Sequence, residues 1–515
     1  MLPKDKYYLK TGKASDLKSP KERLLYRAFE IVPGVLAWAT LLSVIFFSWA
    51  KPIWVAFFII AFDVYWVLKT IYLSLHLRSS YFRMRKQIKI NWMGRLESRR
   101  SGQNWQDIYH LIILPFYKEP GKVIRLTLEA IIDSDYPKEK MIIILGSEER
   151  AGQKAQKTAR AIQDEFGDRF FKFLITTHPK NIVGELAGKS ANITWMTRQA
   201  KKEIIDVLKI PYHNIIVSSF DIDSRVFSKY FSCLTYRYLT AKNPTRTSYQ
   251  PVPVYNNNIW QAPAISRVVA TSGTFWQMIQ QQRPERLSTF SSQAISFKTL
   301  VDVDFWQTNI VSEDSRIFWQ CLLYYNGNYK TIPLYYPVSM DANLTPSFFT
   351  TAANVYRQQR RWGWGVENIP YLLFGLFKNK KIPLRKKFHW TWVQIEGFWS
   401  WATNALLIFL LGWLPLYLGG GEFNITILSY NLPRVTRTLM TLAMIGLIGS
   451  AIYSTLLLPR RPKNYGIVRH LSMVVQWILV PFTILVFGAI PGLEAQTRLL
   501  LGKYMGFWVT PKGKE

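Results

Sequence analysis

The chain has little cysteine and few acidic side chains. Cys233 and Cys321 are the only two cysteines among 515 residues, and they lie far apart. Two such cysteines supply neither a disulfide framework nor the paired spacing of a zinc site, so we expect both to be small buried residues. Asp and Glu total 33 against 65 Lys and Arg, a formal net charge of +32. This surplus favours anionic partners such as nucleic acid, phospholipid headgroups or nucleotide diphosphates.

Long apolar runs account for much of the 49% hydrophobic content. They cover residues 31–50, 52–68 (with Asp63 inside), 401–418, 438–458 and 471–493. A bilayer core of ~30 Å needs about 20 residues at ~1.5 Å each, and buried core helices are seldom so apolar. A cleavable signal peptide fits poorly, because the first run starts late and a second follows immediately. The sequence therefore predicts a multi-pass protein of the cell membrane.

Basic residues flank these runs on one side. They crowd the N-terminal arm, residues 78–100 and residues 378–387. By the positive-inside rule these flanks face the cytosol, and so does the long segment between the second and third runs. Topology and anionic membrane lipids then explain much of the charge, so we predict no nucleic-acid partner. The sequence leaves the oligomeric state open.

We predict six regions from this pattern. They are a basic cytosolic arm (1–30), a transmembrane hairpin (31–77), a cytosolic domain (78–365), interfacial helices (366–400), transmembrane helices (401–493) and an amphipathic tail (494–515). If all five runs crossed, the tail would end outside the cell. Pro481 breaks the last run, so we expect that segment to be bent or re-entrant.

The cytosolic domain alternates short apolar runs with helical patterns. The runs are residues 109–114, 141–145, 171–176 and 214–220. Continuous apolar strands between helices predict a parallel sheet covered on both faces. Sheets of this kind bind ligands at the carboxyl ends of their strands, so the polar residues after each run are candidate site residues.

Asp221 and Asp223 follow the fourth run. Residues two apart in extended chain point the same way, and two carboxylates suit Mg²⁺ or Mn²⁺ holding a diphosphate. D-x-D also occurs at 133–135 and 302–304, so a lone copy more often marks a solvated loop. The position after a buried strand favours only the copy at 221–223.

Three further motifs follow in order along the chain. They are Ser312-Glu313-Asp314, residues 356–362 (YRQQRRW) and residues 507–512 (FWVTPK). Together with Asp221 and Asp223, this order resembles the processive branch of glycosyltransferase family 2, the cellulose and hyaluronan synthase-like enzymes. The resemblance runs from about residue 110 to 512. It implies a GT-A-like, Rossmann-like α/β domain inserted between transmembrane helices, and an inverting, metal-dependent hexosyltransferase that elongates a polysaccharide.

The resemblance also implies roles for single residues. Asp314 would be the general base, and Asp223 would bind the metal. Gln358 and Trp362 would bind the acceptor. The donor, a nucleotide sugar and by the resemblance a UDP-sugar, would be bound by Glu119, Glu148, Lys189, Asp221, Asp223, Arg361, Thr510 and Lys512. Thr510 and Lys512 belong to a tail that resembles a gating loop.

The sequence departs from the family pattern at three places. Residues 146–149 (GSEE) stand where the family has an aspartate pair for the base, which leaves Glu148 as the substitute. Ser312 replaces a threonine. Residues 290–292 (FSS) replace a glycine-containing turn near the acceptor. Acceptor recognition is therefore expected to differ.

Other interpretations stay open. The motif at 358–362 is also typical of an interfacial helix, and Ser312-Glu313-Asp314 of a helix start. The same chemistry acting once on a lipid or polyprenyl-phosphate acceptor is a close alternative to polymer synthesis. A membrane scaffold without catalysis is a third hypothesis, which the intact aspartates disfavour.

Overall fold

A computed structural model describes residues 3–100, 102–463, 465–506 and 508. The strands are β1 (Tyr109–Pro115), β2 (Met141–Glu148), β3 (Lys172–His178), β4 (Ile215–Ser219), β5 (Arg225–Val226), β6 (Thr247–Tyr255), β7 (Ala294–Ser296) and β8 (Lys330–Met340).

The α-helices up to the sheet's last strand are α1 (Pro20–Ala50), α2 (Pro52–Lys89), α3 (Trp92–Glu97), α4 (Gly121–Ile132), α5 (Gln153–Phe166), α6 (Lys189–Ala200), α7 (Tyr230–Thr240), α8 (Ala264–Gln281), α9 (Phe297–Asp302) and α10 (Glu313–Tyr324). Those that follow are α11 (Phe348–Gly363), α12 (Asn368–Lys378), α13 (Leu384–Phe409), α14 (Leu414–Leu418), α15 (Gly420–Asn424), α16 (Ile427–Ala443), α17 (Ile445–Leu456), α18 (Ile467–Val475), α19 (Val480–Ile484) and α20 (Ile490–Leu500).

The eight strands form one sheet, in the order β3-β2-β1-β4-β7-β6-β8-β5. Its first four strands are parallel, with Ile112 of β1 level with Ile143 of β2 and Ser218 of β4. These are the four predicted strands. The central strands β1 and β2 carry continuous apolar runs because α6 covers one face of the sheet and α4 and α5 cover the other. The predicted Rossmann-like α/β domain between long apolar helices is confirmed.

The other half of the sheet is mixed and was not predicted. Strand β7 is antiparallel to both β4 and β6, whereas β6 is parallel to β8. The register of β6 shifts between Gln250 and Val252, on either side of Pro251. Because proline lacks the amide hydrogen that a ladder uses, the sequence of β6 does not resemble that of a central strand.

Within the part of the chain that the structure describes, four helices are long and apolar enough to cross a membrane. They are Pro20–Ala50, Pro52–Lys89, Ile427–Leu456 and His470–Leu500, and the pair Leu384–Phe409 and Leu411–Leu418, bent by 49°, gives a fifth candidate. Large apolar side chains point outward from α1 and α2, with Trp49 68% and Trp54 71% exposed. Such surfaces are typical of helices that contact lipid.

The segment His470–Leu500 packs against both the α/β domain and the long helices: Trp38 Nε1 of α1 donates to Thr497 Oγ1 at 2.8 Å, and Trp401 Nε1 of α13 donates to the Gly488 carbonyl at 3.1 Å. Near its start Met473 packs with Trp260, and near its end Ala495 packs with Trp364. Ile478, between these two contacts, is 78% exposed. Residues near both ends of the segment thus contact the α/β domain, and the part between them has an exposed apolar side chain.

Candidate functional site

One ammonium group is surrounded by three carboxylates at the carboxyl ends of the parallel strands. Lys189 Nζ lies 2.8 Å from Asp221 Oδ1, 3.0 Å from Asp314 Oδ2 and 3.4 Å from Glu313 Oε1. The Lys189 side chain is 11% exposed and that of Glu313 is 3% exposed. We call these four residues the lysine-centred cluster. Buried charges of this kind must be paired, and here one cation balances three potential anions.

Separate elements bring the cluster together. Asp221 follows β4, Lys189 is the first residue of α6, and Glu313 and Asp314 begin α10. A hydroxyl from a neighbouring loop completes the arrangement, since Ser291 Oγ donates to Asp221 Oδ2 at 2.9 Å. The structure therefore joins three of the predicted site residues that the sequence places up to 125 positions apart.

Glu367 fixes the start of α10. Its Oε1 accepts hydrogen bonds from the backbone amides of Val311 (3.0 Å) and Ser312 (2.8 Å) and from Ser312 Oγ (2.7 Å). Its Oε2 accepts from Trp364 Nε1 at 2.9 Å. A carboxylate here satisfies amides at the helix start and favours its dipole. Glu367 thus holds the segment that carries Glu313 and Asp314.

Burial shifts the pKa values of the cluster. It raises the pKa of Glu313 to about 7, with the like charge of Asp314 adding to the effect. It also raises the pKa of Asp314, which the Lys189 ammonium opposes. Burial alone would lower the pKa of Lys189, but the carboxylates, Asp221 first, raise it well above its ordinary value. The cluster therefore holds a permanent cation beside carboxyl groups that titrate above their ordinary range.

Asp223 lies beside this cluster and is 2% exposed. Its Oδ2 accepts from the backbone amide of Asp341 at 3.2 Å. Asn257 Nδ2 donates both to the Asp223 carbonyl (3.0 Å) and to Asp341 Oδ1 (2.9 Å). These bonds fix the carboxylate on the loop after β4.

Asp221 and Asp223 are the carboxylates of this region that could contribute oxygen ligands to a metal held together with a diphosphate. Among the described residues no group of three or more His, Cys, Asp or Glu side chains could hold an ion by itself. Mg²⁺ and Mn²⁺ sites of nucleotide enzymes commonly use one or two carboxylates, with phosphate and water as the other ligands. Asp221 and Asp223 supply that number.

Two aromatic rings lie over this region. Tyr255, at the end of β6, has its ring centroid 6.0 Å from that of Trp362 on α11. Burial is the main cause that raises the pKa of Tyr255. The negative charges of Asp221 and Asp223 raise this pKa further, and the positive charge of Arg361 lowers it. Arg361 therefore lies within electrostatic range of Glu313 and Asp314 of the lysine-centred cluster, whereas Trp362 contacts Tyr255. Gln358 is half-buried on the same helix.

Glu119 and Glu148 form a second group, around Tyr117. Glu148 makes an ion pair with Arg150, whose guanidinium lies 4.9 Å from the Tyr117 ring centroid. Glu119 Oε2 accepts from the backbone amides of Tyr117 (2.7 Å) and Lys118 (3.0 Å). Both carboxylates thus have partners within the loops that follow β1 and β2.

The predicted gating residues Thr510 and Lys512 lie outside the described residues. The preceding tail contacts α11 and α1: Arg357 Cζ lies 5.9 Å from the Trp508 ring centroid, and Tyr504 Oη donates to Glu30. Arg357 is on α11, so this part of the tail lies beside the helix that carries Arg361 and Trp362.

Four residues of the site were not singled out as site residues from the sequence: Tyr255, Asn257, Ser291 and Glu367. Tyr255 is the last residue of β6 and Asn257 follows it, and the prolines of β6 make its sequence unlike that of a typical strand. Ser291 was noted only as part of a departure from the family turn, and Glu367 has no motif of its own. No spacing in the sequence marks these contacts, because each depends on the mixed half of the sheet or on helix packing.

Neither a family model nor a curated protein matches the chain. Similar solved structures include the mannosyltransferase PcManGT from Pyrobaculum calidifontis in complex with GDP-Man and Mn²⁺, with 15% identity, a TM-score of 0.41, and coverage of 77% of this chain and 98% of that one. Another is S. aureus TarS 1-349 in complex with UDP, with 9% identity, a TM-score of 0.35, and coverage of 68% and 90%. Structural similarities with TM-scores below 0.5 do not establish the activity of this chain.

Proposed function

We propose that the chain is a membrane-embedded inverting glycosyltransferase, which transfers a sugar from a nucleotide-sugar donor to a growing β-linked glycan. One observation carries the proposal. Lys189, Asp221 and Asp314, which come from three elements, meet at the carboxyl ends of the strands, with Arg361 and Trp362 beside them. That edge is where open α/β sheets bind their ligands.

Asp314 is the proposed general base. As the acceptor hydroxyl attacks the anomeric carbon, its proton passes to the Asp314 carboxylate, the new C–O bond forms and the bond to the diphosphate breaks. Attack opposite the leaving group inverts the anomeric configuration. A positioned base contributes ~10²- to 10⁴-fold to the rate. A pKa raised by burial makes the carboxylate a stronger base than an exposed aspartate.

The remaining donor contacts are assigned to cations and to the loops after β1 and β2. Lys189 and Arg361 offset the charge of the leaving diphosphate, with Lys512 and Thr510 closing over it. Asp221 and Asp223 would hold Mg²⁺ or Mn²⁺, which supplies charge neutralisation when bound. Glu148, with Glu119 fixing the adjacent loop, is assigned to the nucleobase.

Trp362 and Gln358 are assigned to the acceptor, with Tyr255 extending the same aromatic wall. A sugar ring packs its apolar face on such rings. We also propose that α1, α2, α13–α14 and α16–α17 cross the membrane with the α/β domain in the cytosol, while His470–Leu500 lies along the domain. Four crossings keep the tail on the side of the donor.

A single transfer to a lipid-linked acceptor is the second candidate. Glu494 of α20 bonds to Tyr356 (2.8 Å) and Arg360 (2.8 Å) of α11, so the helix carrying Trp362 is joined to a segment with an apolar open face. That proximity suits an acceptor that reaches the site from the bilayer.

Binding of the nucleoside diphosphate tests the donor site. Titration of the detergent-solubilised protein with UDP and GDP in Mn²⁺ should give a saturable signal that Asp223→Ala weakens at least tenfold, since one metal ligand is lost. Asp133→Ala is the matched control, because Asp133 belongs to another D-x-D copy and is exposed. Equal affinity in both variants would refute the assignment of Asp223.

A further inference from the structure

A basic cavity lies away from the proposed transferase site. It has a volume of about 410 Å³ and is lined by side chains that include Lys242, Arg246, Lys330, Lys386, Asn243 and Asn328. Among the described residues, the lining has four cations and two amides, all of them exposed at the protein surface, and no carboxylate. An anion fits this set, because lysine and arginine donate only and the two amides donate as well.

The four cations lack acidic partners in the part of the chain that the structure describes. None of them is within ion-pair distance of a described carboxylate. The nearby Asp302 is already engaged, at 2.5 Å from Lys298 and 2.9 Å from Tyr325 Oη. Like charges held close together repel each other, so this arrangement stabilises the bound form of an anion more than the empty cavity.

Two of the cations are held in place by other groups. Lys386 Nζ donates to the Gly327 carbonyl at 2.9 Å. The Arg246 guanidinium lies 5.3 Å from the ring centroid of Tyr325, a cation–π contact. Because these side chains are already ordered, less rotamer entropy is lost when a ligand binds.

The cavity is remote from the donor site. Thr247, which lines it, begins β6, and Tyr255 at the other end of β6 lies beside the proposed catalytic residues. Eight steps at ~3.3 Å separate the two ends by roughly 26 Å. One ligand of ordinary size does not reach both.

The cavity also lies at the start of α13. That helix exposes Leu384 (71%), Phe388 (74%) and Trp392 (67%), which are four residues apart and share one face. An exposed apolar face with an aromatic ring and flanking lysines is typical of a helix at the bilayer surface. Lys386 projects from the same turns into the cavity.

We propose that this cavity binds a phosphate-bearing anion, either the headgroup of an anionic phospholipid or a free phosphate compound. The cations Lys242, Arg246, Lys330 and Lys386 contact the phosphate oxygens. A lipid source places its acyl chains along the exposed face of α13, whereas a free phosphate compound enters from the cytosol.

Two double variants test the site in the full-length protein. Lys242→Gln/Lys330→Gln removes two cations of the cavity, and Lys380→Gln/Lys381→Gln removes two exposed lysines that do not line it. Both variants lose the same charge. The detergent-solubilised proteins are titrated without divalent ions, once with inorganic pyrophosphate and once with short-chain phosphatidic acid.

The cavity variant should bind at least one probe roughly 30-fold more weakly than wild type, from about 1 kcal/mol for each lysine lost. The control variant should keep the wild-type affinity. If the cavity variant binds both probes more weakly than wild type, the cavity recognises the phosphate group itself. If it binds only phosphatidic acid more weakly, the cavity recognises a lipid headgroup. If neither probe distinguishes the cavity variant from the control variant, the proposal is wrong.

Discussion

Removing the ammonium of Lys189 tests the lysine-centred cluster most severely. Lys189→Met keeps the length and most of the volume of the side chain but leaves Asp221, Glu313 and Asp314 without their shared cation. Removing one partner of a buried ion pair costs about 3–5 kcal/mol, because the remaining charge stays buried. We expect a loss of stability of that size above pH 8.

The loss should depend on pH. Without the cation, Glu313 and Asp314 have folded-state pKa values further above their unfolded values, so the penalty is fully present above those folded-state values. It fades as the pH falls towards the unfolded value, since the folded state then binds the neutralising protons. Glu313, with a pKa of about 7 even beside Lys189, is the first to take up a proton. The variant should therefore lose markedly less stability at pH 6 than at pH 8.

Chemical denaturation of the detergent-solubilised protein at several pH values measures both effects. Lys180→Met is the matched control, because Lys180 pairs with Glu149 at 3.3 Å while its side chain is 60% exposed. Exposed pairs contribute about 0–1 kcal/mol. A Lys189→Met loss no larger than that of the control, or one that is equal at pH 6 and pH 8, would refute the described electrostatics.

Three further predictions concern activity. The acid limb of the pH–rate profile should have its midpoint above ~3.9, the ordinary value for aspartate, because burial raises the pKa of Asp314 and the base must be ionised; a midpoint at or below that value contradicts this. Trp362→Ala should raise the acceptor KM about tenfold in steady-state kinetics, because ~1.4 kcal/mol of ring packing is lost. The control is Trp276→Ala, which should leave the acceptor KM unchanged, since Trp276 is 45% exposed on α8. Glu367→Gln should lower kcat more than it raises KM. The amide nitrogen that replaces Oε2 cannot accept the bond from Trp364 Nε1, and a neutral amide oxygen accepts the three bonds at the start of α10 more weakly than a carboxylate does. A kcat equal to that of wild type would show that Glu367 does not position Asp314.

Sequence periodicity was sufficient for the parallel half of the sheet. Strands that are covered on both faces must be apolar throughout, so 109–114, 141–145, 171–176 and 214–220 could be recognised. The mixed half could not, because β6 contains Pro251 and Pro253 and the three-residue β7 is too short to show a period.

The site residues also fall into two groups, those that the sequence could predict and those that it could not. Residues at strand and helix ends, such as Asp221 and Lys189, could be proposed because a sheet brings those ends to one edge. The residues that hold these side chains in place could not be proposed from the sequence. Tyr255 and Glu367 reach the site through the mixed half of the sheet and through packing after α11, and no local spacing in the sequence encodes such long-range contacts.

The path of the last apolar segment depends on side chains rather than on hydropathy. His470–Leu500 has the length and composition of a membrane span, as the sequence suggested. Its small residues nevertheless pack on the α/β domain: Gly492 approaches Gly363, and Ala495 packs with Trp364. Mean hydropathy does not distinguish a face that meets lipid from one that meets protein.

Turnover with a panel of nucleotide sugars tests the central claim most directly. Purified protein in nanodiscs with Mn²⁺ and added acceptors should release nucleoside diphosphate from one donor, and Asp314→Asn should reduce that release by at least ~10²-fold. Asp133→Asn, an exposed carboxylate outside the site, should not. No release from any donor by folded protein, or release that persists in Asp314→Asn, would contradict the account of these residues as a sugar-transfer site.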